Sequence, residues 1–219
     1  MELRVTGEPP DEPPVITVRG DKVGLGPTRK SDVERWVRWV NDLEVIRGLD
    51  ILGRRDPLTL EDELEWYESN RQQAGSVTFT IYELETMQAI GNCGLANVDF
   101  RHGTATFGIM IGEKDRWGRG YGSEAARLVL DYAFNALGLH NVQLLVYANN
   151  RRAVRAYEKA GFRLVGRRRE ARRFPDGRVD VLIMDALPSD LPRSVVRELM
   201  TPDGPARFAP SIPRQSQEG

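Results

Sequence analysis

Residues 111–123 read Ile-Gly-Glu-Lys-Asp-Arg-Trp-Gly-Arg-Gly-Tyr-Gly-Ser, and no other stretch limits the fold of the chain so tightly. An apolar segment at 104–111 precedes it. After it, Ala125, Leu128, Val129, Tyr132, Ala133 and Ala136 recur at helical spacing until Gly138 offers a left-handed stop. A strand therefore turns almost directly into a helix through three alternate glycines, Gly118, Gly120 and Gly122. Without side chains these let main-chain amides approach a ligand, and the helix opening there presents unpaired N–H groups and the positive end of its dipole. Glycine used for positive φ explains a tight turn. Three alternate glycines beside Arg116 and Arg119 exceed that need, and the pattern predicts a phosphate site.

The elements around this turn follow from periodicity. Residues 15–18 and 22–26 form a short strand pair. Ser31 and Glu34 then read as a capping box ahead of Val33, Trp36, Val37 and Val40, the apolar face of a first helix. Thr59 caps a second helix running to about Arg71. Segments 77–82, 89–98 and 104–111 are strands joined by short turns and hence antiparallel. After the glycine-rich helix come a nearly all-apolar strand at 142–147, a helix capped by Asn150 and ended by Gly161, and two strands at 163–170 and 179–186. This order predicts a mixed α/β fold.

Gly120, Gly122 and Ala125 also satisfy a dinucleotide fingerprint, which keeps a nicotinamide or flavin enzyme as a rival. Two features oppose it: residues 113–116 separate strand from fingerprint, and the next strand ends in Tyr147, Ala148, Asn149 and Asn150 without an acid. No Walker lysine followed by Ser or Thr completes a P-loop.

Two motifs carry a family resemblance. Trp117, Gly118, Arg119, Gly120, Tyr121 and Gly122 form the first, and residues 150–162, Asn-Arg-Arg-Ala-Val-Arg-Ala-Tyr-Glu-Lys-Ala-Gly-Phe, the second. Together they resemble the GNAT superfamily of acyl-CoA-dependent N-acyltransferases, in particular the branch of ribosomal-protein N-terminal and spermidine acetyltransferases. The wider superfamily opens the first motif with Gln or Arg, where Trp117 stands. The resemblance spans roughly residues 22–187. It implies a splayed, mostly antiparallel central sheet flanked by helices, with acetyl-CoA as co-substrate between the strands at 104–111 and 142–147. The pantetheine would pair near Ile109, Met110 and Ile111. Amides from Gly118 to Ser123 would hold the diphosphate. Asn150 would cap its helix and touch the cofactor, and Tyr157 would protonate the leaving thiolate. The implied reaction is direct transfer of an acetyl group to a primary amine: a polyamine, an aminoglycoside-like molecule or a protein N-terminus. A non-catalytic acyl-CoA-binding or ribosome-associated module is the alternative.

An amine must attack uncharged, whereas a lysine-type ammonium has a pKa near 10.4, so a base is required. Asp99, His102 and Glu113 flank the relevant strands and are the sequence candidates. Residues 42–68 hold nine carboxylates against three arginines. The resemblance implies that this two-helix region lies over the acceptor pocket, where an acidic rim would concentrate a cationic amine; a solvated helix with an acidic first turn accounts for the same charges. Arg163, Arg167, Arg168, Arg169, Arg172, Arg173 and Arg178 give the opposite bias. No aromatic platform interleaves them, which reads as a solvent-facing hairpin rather than a nucleic-acid surface.

Ten of thirteen prolines fall in residues 1–14 and 188–219, dividing the chain into a Pro-rich N-terminal segment (1–14), an acetyltransferase domain (15–187) and a Pro-rich, mobile tail (188–219) with a short helix at 191–200. Net charge −1 removes the global basic excess of a nucleic-acid coat protein. A single cysteine, Cys93, excludes an intrachain disulfide, and with only two histidines no metal is expected. No apolar run approaches the roughly 20 residues that span a bilayer. These features predict a cytoplasmic protein with an amine acceptor and no membrane partner, and leave a homodimer and ribosome contact open.

Overall fold

The computed structural model describes residues 13–49 and 56–201. An eight-stranded open sheet forms its middle, in spatial order β1-β2-β3-β4-β5-β6-β8-β7. The first five strands are β1 (Val18–Arg19), β2 (Val23–Pro27), β3 (Val77–Glu83), β4 (Ala89–Asp99) and β5 (Thr104–Ile111), an antiparallel meander with three helices inserted after β2. These are α1 (Val33–Val40), α2 (Leu43–Ile46) and α3 (Leu60–Gln72). After β5, α4 (Tyr121–Asn135) crosses to β6 (Asn141–Tyr147), which lies parallel to β5. Helix α5 (Arg151–Ala160) leads to β7 (Arg163–Phe174), and β8 (Gly177–Ala186) returns between β6 and β7.

Strand alternation sorts side chains to two faces. On one, Ala125, Val129 and Leu130 of α4 meet Leu25, Ile81, Leu95, Leu144 and Met184 in the larger core. On the other, Val33, Trp36 and Trp39 of α1 and Tyr67 of α3 pack with Tyr82 and Ala89. At 25 cal/mol per Å² such burial is the main stabilising term on each face.

Three local expectations change. The Ser31–Glu34 box does not form: Ser31 is exposed in a 3₁₀ turn, and Asp32, at the N-cap position of α1, makes no side-chain cap bond but accepts a 2.8 Å bond from the Tyr82 hydroxyl. The first strand shrinks to two residues, although Thr17 still donates to the Leu25 carbonyl. The Arg-rich hairpin is longer than its apolar pattern, reaching Phe174 and Gly177. Its cross-strand bonds continue where side chains are solvated, with Glu170 at positive φ in an irregular register.

Residues 1–12 and 202–219 of the two proline-rich segments lie outside the described residues. Past Leu187 the chain continues into a 3₁₀ turn and α6 (Val195–Met200). The buried Asp131 of α4 accepts from the Ser194 hydroxyl and from the amides of Val195 (2.6 Å) and Val196 (2.9 Å), so α6 is docked onto α4.

Candidate active site

Strands β5 and β6 pair only from Thr104 to Thr106 and from Asn141 to Gln143, then part. Beyond the fork, the amide of Gly112 bonds the Ile90 carbonyl on the β4 side. Alternation therefore turns the amides of Ile111 and Ile109 toward the gap. A cleft of about 290 Å³ opens there. Ile109, Met110, Ile111, Trp117, Gly118, Gly120, Tyr121, Gly122, Ser123, Asn150 and Tyr157 all line it. Arg119 does not; its carbonyl accepts from the Lys22 ammonium at 3.0 Å.

The three glycines differ. Gly118 (φ 78°) and Gly120 (φ 91°) occupy the left-handed region that other residues rarely adopt. Gly122 lies in the ordinary first turn of α4, where an added Cβ would meet only Ile111 at 3.7 Å. The fold does not require glycine at 122, but a ligand resting on the helix terminus would. Beneath the bend, the Tyr121 hydroxyl donates to the buried Glu83 at 2.6 Å, and Arg116 bonds the same carboxylate at 3.0 Å. These contacts, the Tyr121 bond foremost, hold Glu83 below the usual carboxylate range and raise Tyr121. The Trp117 indole N–H donates to the Ile111 carbonyl at 2.8 Å, tying the bend to the end of β5.

Across the cleft, Asn150 caps α5 by accepting from the Ala153 amide at 3.2 Å. Tyr157 stands two turns on, edge-on to Phe107 and Phe162. Burial pushes its phenol up to about 12, and its hydroxyl makes no hydrogen bond among the described residues. It is a protonated donor with no acceptor among the described residues.

A second cavity, about 660 Å³, lies on the α1–α3 face of β5. Leu49, Ile109 and Met110 line both, so the two cavities adjoin across the C-terminal part of β5. Trp36 and Trp66 form one wall, with ring centroids 5.6 Å apart, and Asp62, Glu63 and Glu65 bring carboxylates. From the acidic rim read in the sequence, Asp50, Arg54 and Arg55 lie outside the described residues. Trp36 stands at helical spacing with Val33, Val37 and Val40, which reads as core and not as a site, and it is 1% exposed; Trp66, 40% exposed, has no such signal in the sequence.

None of the three sequence candidates for the base lines either cavity. Asp99 and His102 bond one another at 2.7 Å in the β4–β5 turn, at the far end of β5. Glu113 accepts from the Trp39 indole at 3.1 Å. Cys93 is a buried core residue that also lines the second cavity, with its thiol pushed up by burial.

A sheet forked beside a glycine-rich helix terminus, with a second cavity adjoining the fork, is an arrangement that brings an anionic ligand and a second molecule to one strand. Comparison with known proteins gives the family. Residues 22–163 match the acetyltransferase (GNAT) domain, and the chain belongs to that family as an N-acetyltransferase. Among its relatives, the uncharacterised N-acetyltransferase p20 of Bacillus licheniformis is 24% identical over 171 residues, covering 78% of this chain and 96% of the relative. Human alpha/beta-tubulin-N-acetyltransferase 9 is 29% identical over 158 residues, covering 67% and 74%. The crystal structure of spermidine N-acetyltransferase from Vibrio cholerae in complex with CoA and spermine superposes with a TM-score of 0.68 at 25% identity, covering 78% of this chain and 99% of that one.

Proposed function

We propose that the chain transfers the acetyl group of acetyl-CoA directly to a cationic primary amine held in the second cavity. The observation that carries this reading is that Ile109 and Met110 line two adjoining cavities, one with bare amides and the other with carboxylates and tryptophans. A gap between strands supplies N–H and C=O groups to which an amide-bearing pantetheine adds like a further strand. Gly122, bare without a conformational need for it, leaves room for the diphosphate on the α4 terminus. When bound, acetyl-CoA supplies an activated thioester.

The residues of the chain do the rest. An amide on the open edge of β5 donates to the thioester oxygen as charge builds there. The carboxylates and indole faces of the acceptor cavity favour a cation at its mouth, through charge and through the ring quadrupoles. A carboxylate of that cavity, directly or through water, removes the ammonium proton before attack. The new C–N bond forms as the C–S bond breaks, Tyr157 donates its proton to the departing sulfur, and a proton from the amine nitrogen restores the phenol. Cys93 is buried and un-ionised, which disfavours a covalent acyl-enzyme and favours a ternary complex.

The test is thiol release from acetyl-CoA over spermidine, aminoglycosides and basic N-terminal peptides. Saturable turnover with at least one polycation is expected. Tight acetyl-CoA binding with no release on any amine would leave only a binding module.

A further inference from the structure

We propose that the guanidiniums of Arg47 and Arg152 form a clamp that closes over the phosphates of the bound acyl-CoA from the α2 side of the cleft. The proposal rests on the acetyl-CoA reading above and adds to it two residues outside both sequence motifs' expected contacts, one of them from an acceptor-side helix.

Arg47 ends α2 and Arg152 opens α5, and both line the cleft with Gly118, Gly120 and Ser123. They converge because the chain at 47–49 reaches over the fork: the Tyr147 hydroxyl donates to the Leu49 carbonyl at 3.3 Å, and Gly48 lies so close beneath Asn150 that a Cβ there would stand 2.6 Å from the amide nitrogen. Neither guanidinium makes an ion pair or a side-chain hydrogen bond among the described residues. Arg152 is instead stacked on the Trp117 ring, its carbon 3.7 Å from the centroid, which fixes its plane beside the glycine bend. The carboxylate nearest to them, Glu44, is already bonded to Lys114 at 3.0 Å. Arg116 on the same wall is taken by Glu83 and Asp115.

Two like charges thus face one cavity, and among the described residues the one carboxylate in its lining, Glu44, is shared with Lys114. Partial desolvation, and after it the charge of Arg47, lowers the pKa of Arg152, with Glu44 opposing in part. A phosphate relieves the repulsion between the two guanidiniums and accepts from both planar forks, a geometry that guanidinium matches better than ammonium. Because Leu49 also lines the acceptor cavity, drawing 47–49 onto the phosphates completes a wall of the amine site, so acyl-CoA should bind before the amine.

Calorimetry of acetyl-CoA and its 3′-dephospho form with the full chain, Arg47→Met and Arg152→Met tests the clamp. Each variant should bind acetyl-CoA about tenfold more weakly, the value of one charged hydrogen bond partly screened by solvent. The deficit should shrink in molar salt, with the melting temperature unchanged because both side chains are exposed. If the clamp grips the 3′-phosphate, the wild type binds the dephospho form weakly and the variants lose nothing further on it. If it grips the diphosphate, the variants weaken both ligands alike. Unchanged acetyl-CoA affinity in both variants overturns the clamp while leaving the cleft assignment standing. Failure of the wild type to bind acetyl-CoA overturns the cleft assignment and the clamp together.

Discussion

Tyr157 was legible as a position and not as a chemical state. Its spacing from Asn150 placed it on the cleft face of a helix, but only packing against Phe107 and Phe162 shows the phenol raised to about 12. A group with a raised pKa keeps its proton below that value, so the donor is intact at every pH where the protein is assayed. The pH–rate profile should therefore climb as the amine acceptor deprotonates, with no loss traceable to Tyr157 below about pH 10. Tyr157→Phe should lower kcat about a hundredfold, the lower range for general-acid catalysis, while leaving acetyl-CoA affinity intact. Undiminished turnover in the variant would remove its assigned role.

Gly122 makes a separate test at the same scale. Alanine fits the helical backbone there and adds up to about 1 kcal/mol of helix preference, yet its methyl enters the space over the amides. Gly122→Ala should melt at the same or higher temperature and bind acetyl-CoA more weakly. Unimpaired binding would show that the α4 terminus is not where the diphosphate rests.

Among elements, the helices and strands were readable where apolar periodicity and local caps agree. Thr59 caps α3 as the sequence suggests, and the structure adds Asp62 as its reciprocal partner, with bonds at 3.2 and 2.7 Å. The Ser31–Glu34 box has the right spacing and does not form: Tyr82, fifty residues away, holds the Asp32 carboxylate in the core. A cap contested by a distant strand leaves no local trace. Glu83 follows the same logic. At the end of β3 it looks like an ordinary strand-terminal acid, but Tyr121 and Arg116 make it the anchor beneath the glycine bend. Its folded pKa is depressed, so the stability it gives is present above the unfolded value near 4.5 and is lost as pH falls through the lower, folded value. Glu83→Gln should cost about 2 kcal/mol in chemical denaturation at neutral pH, the scale for weakening a buried charged bond. The gap to wild type should close as the pH is brought below 4.5. The KM for acetyl-CoA should rise more than kcat falls, since the bend loosens while Tyr157 is untouched. A deficit that persists in acid would contradict the ionised anchor.

At the scale of the molecule, β5 is a partition with one substrate on each side, and its two neighbours hold it unequally. Strand β4 pairs with it to Ile111, whereas β6 leaves after Thr106. The sequence shows both strands but not their separation, since an apolar run such as 142–147 announces burial without naming its partner. The acceptor half was the less legible for a related reason: Trp36, Trp66 and the α3 carboxylates come together only when the helices pack. The unpaired edge gives the whole-molecule prediction. If pantetheine fills the fork, hydrogen exchange at Ile109 and Ile111 should slow when acetyl-CoA binds, and the amides of Asn92 and Cys93 in β4, already within the ladder, should change far less. At a hundredfold excess over Kd the ligand adds about 2.7 kcal/mol, a rise in melting temperature of roughly 5–11 °C for a domain of this size. Spermidine alone, seated on the α1–α3 face of β5, would leave the fork unpaired and should leave those two amides exchanging as before. Slowed exchange at Ile109 and Ile111 with spermidine but not with acetyl-CoA would place the amine, rather than the cofactor, in the fork and reverse the assignment of the two cavities.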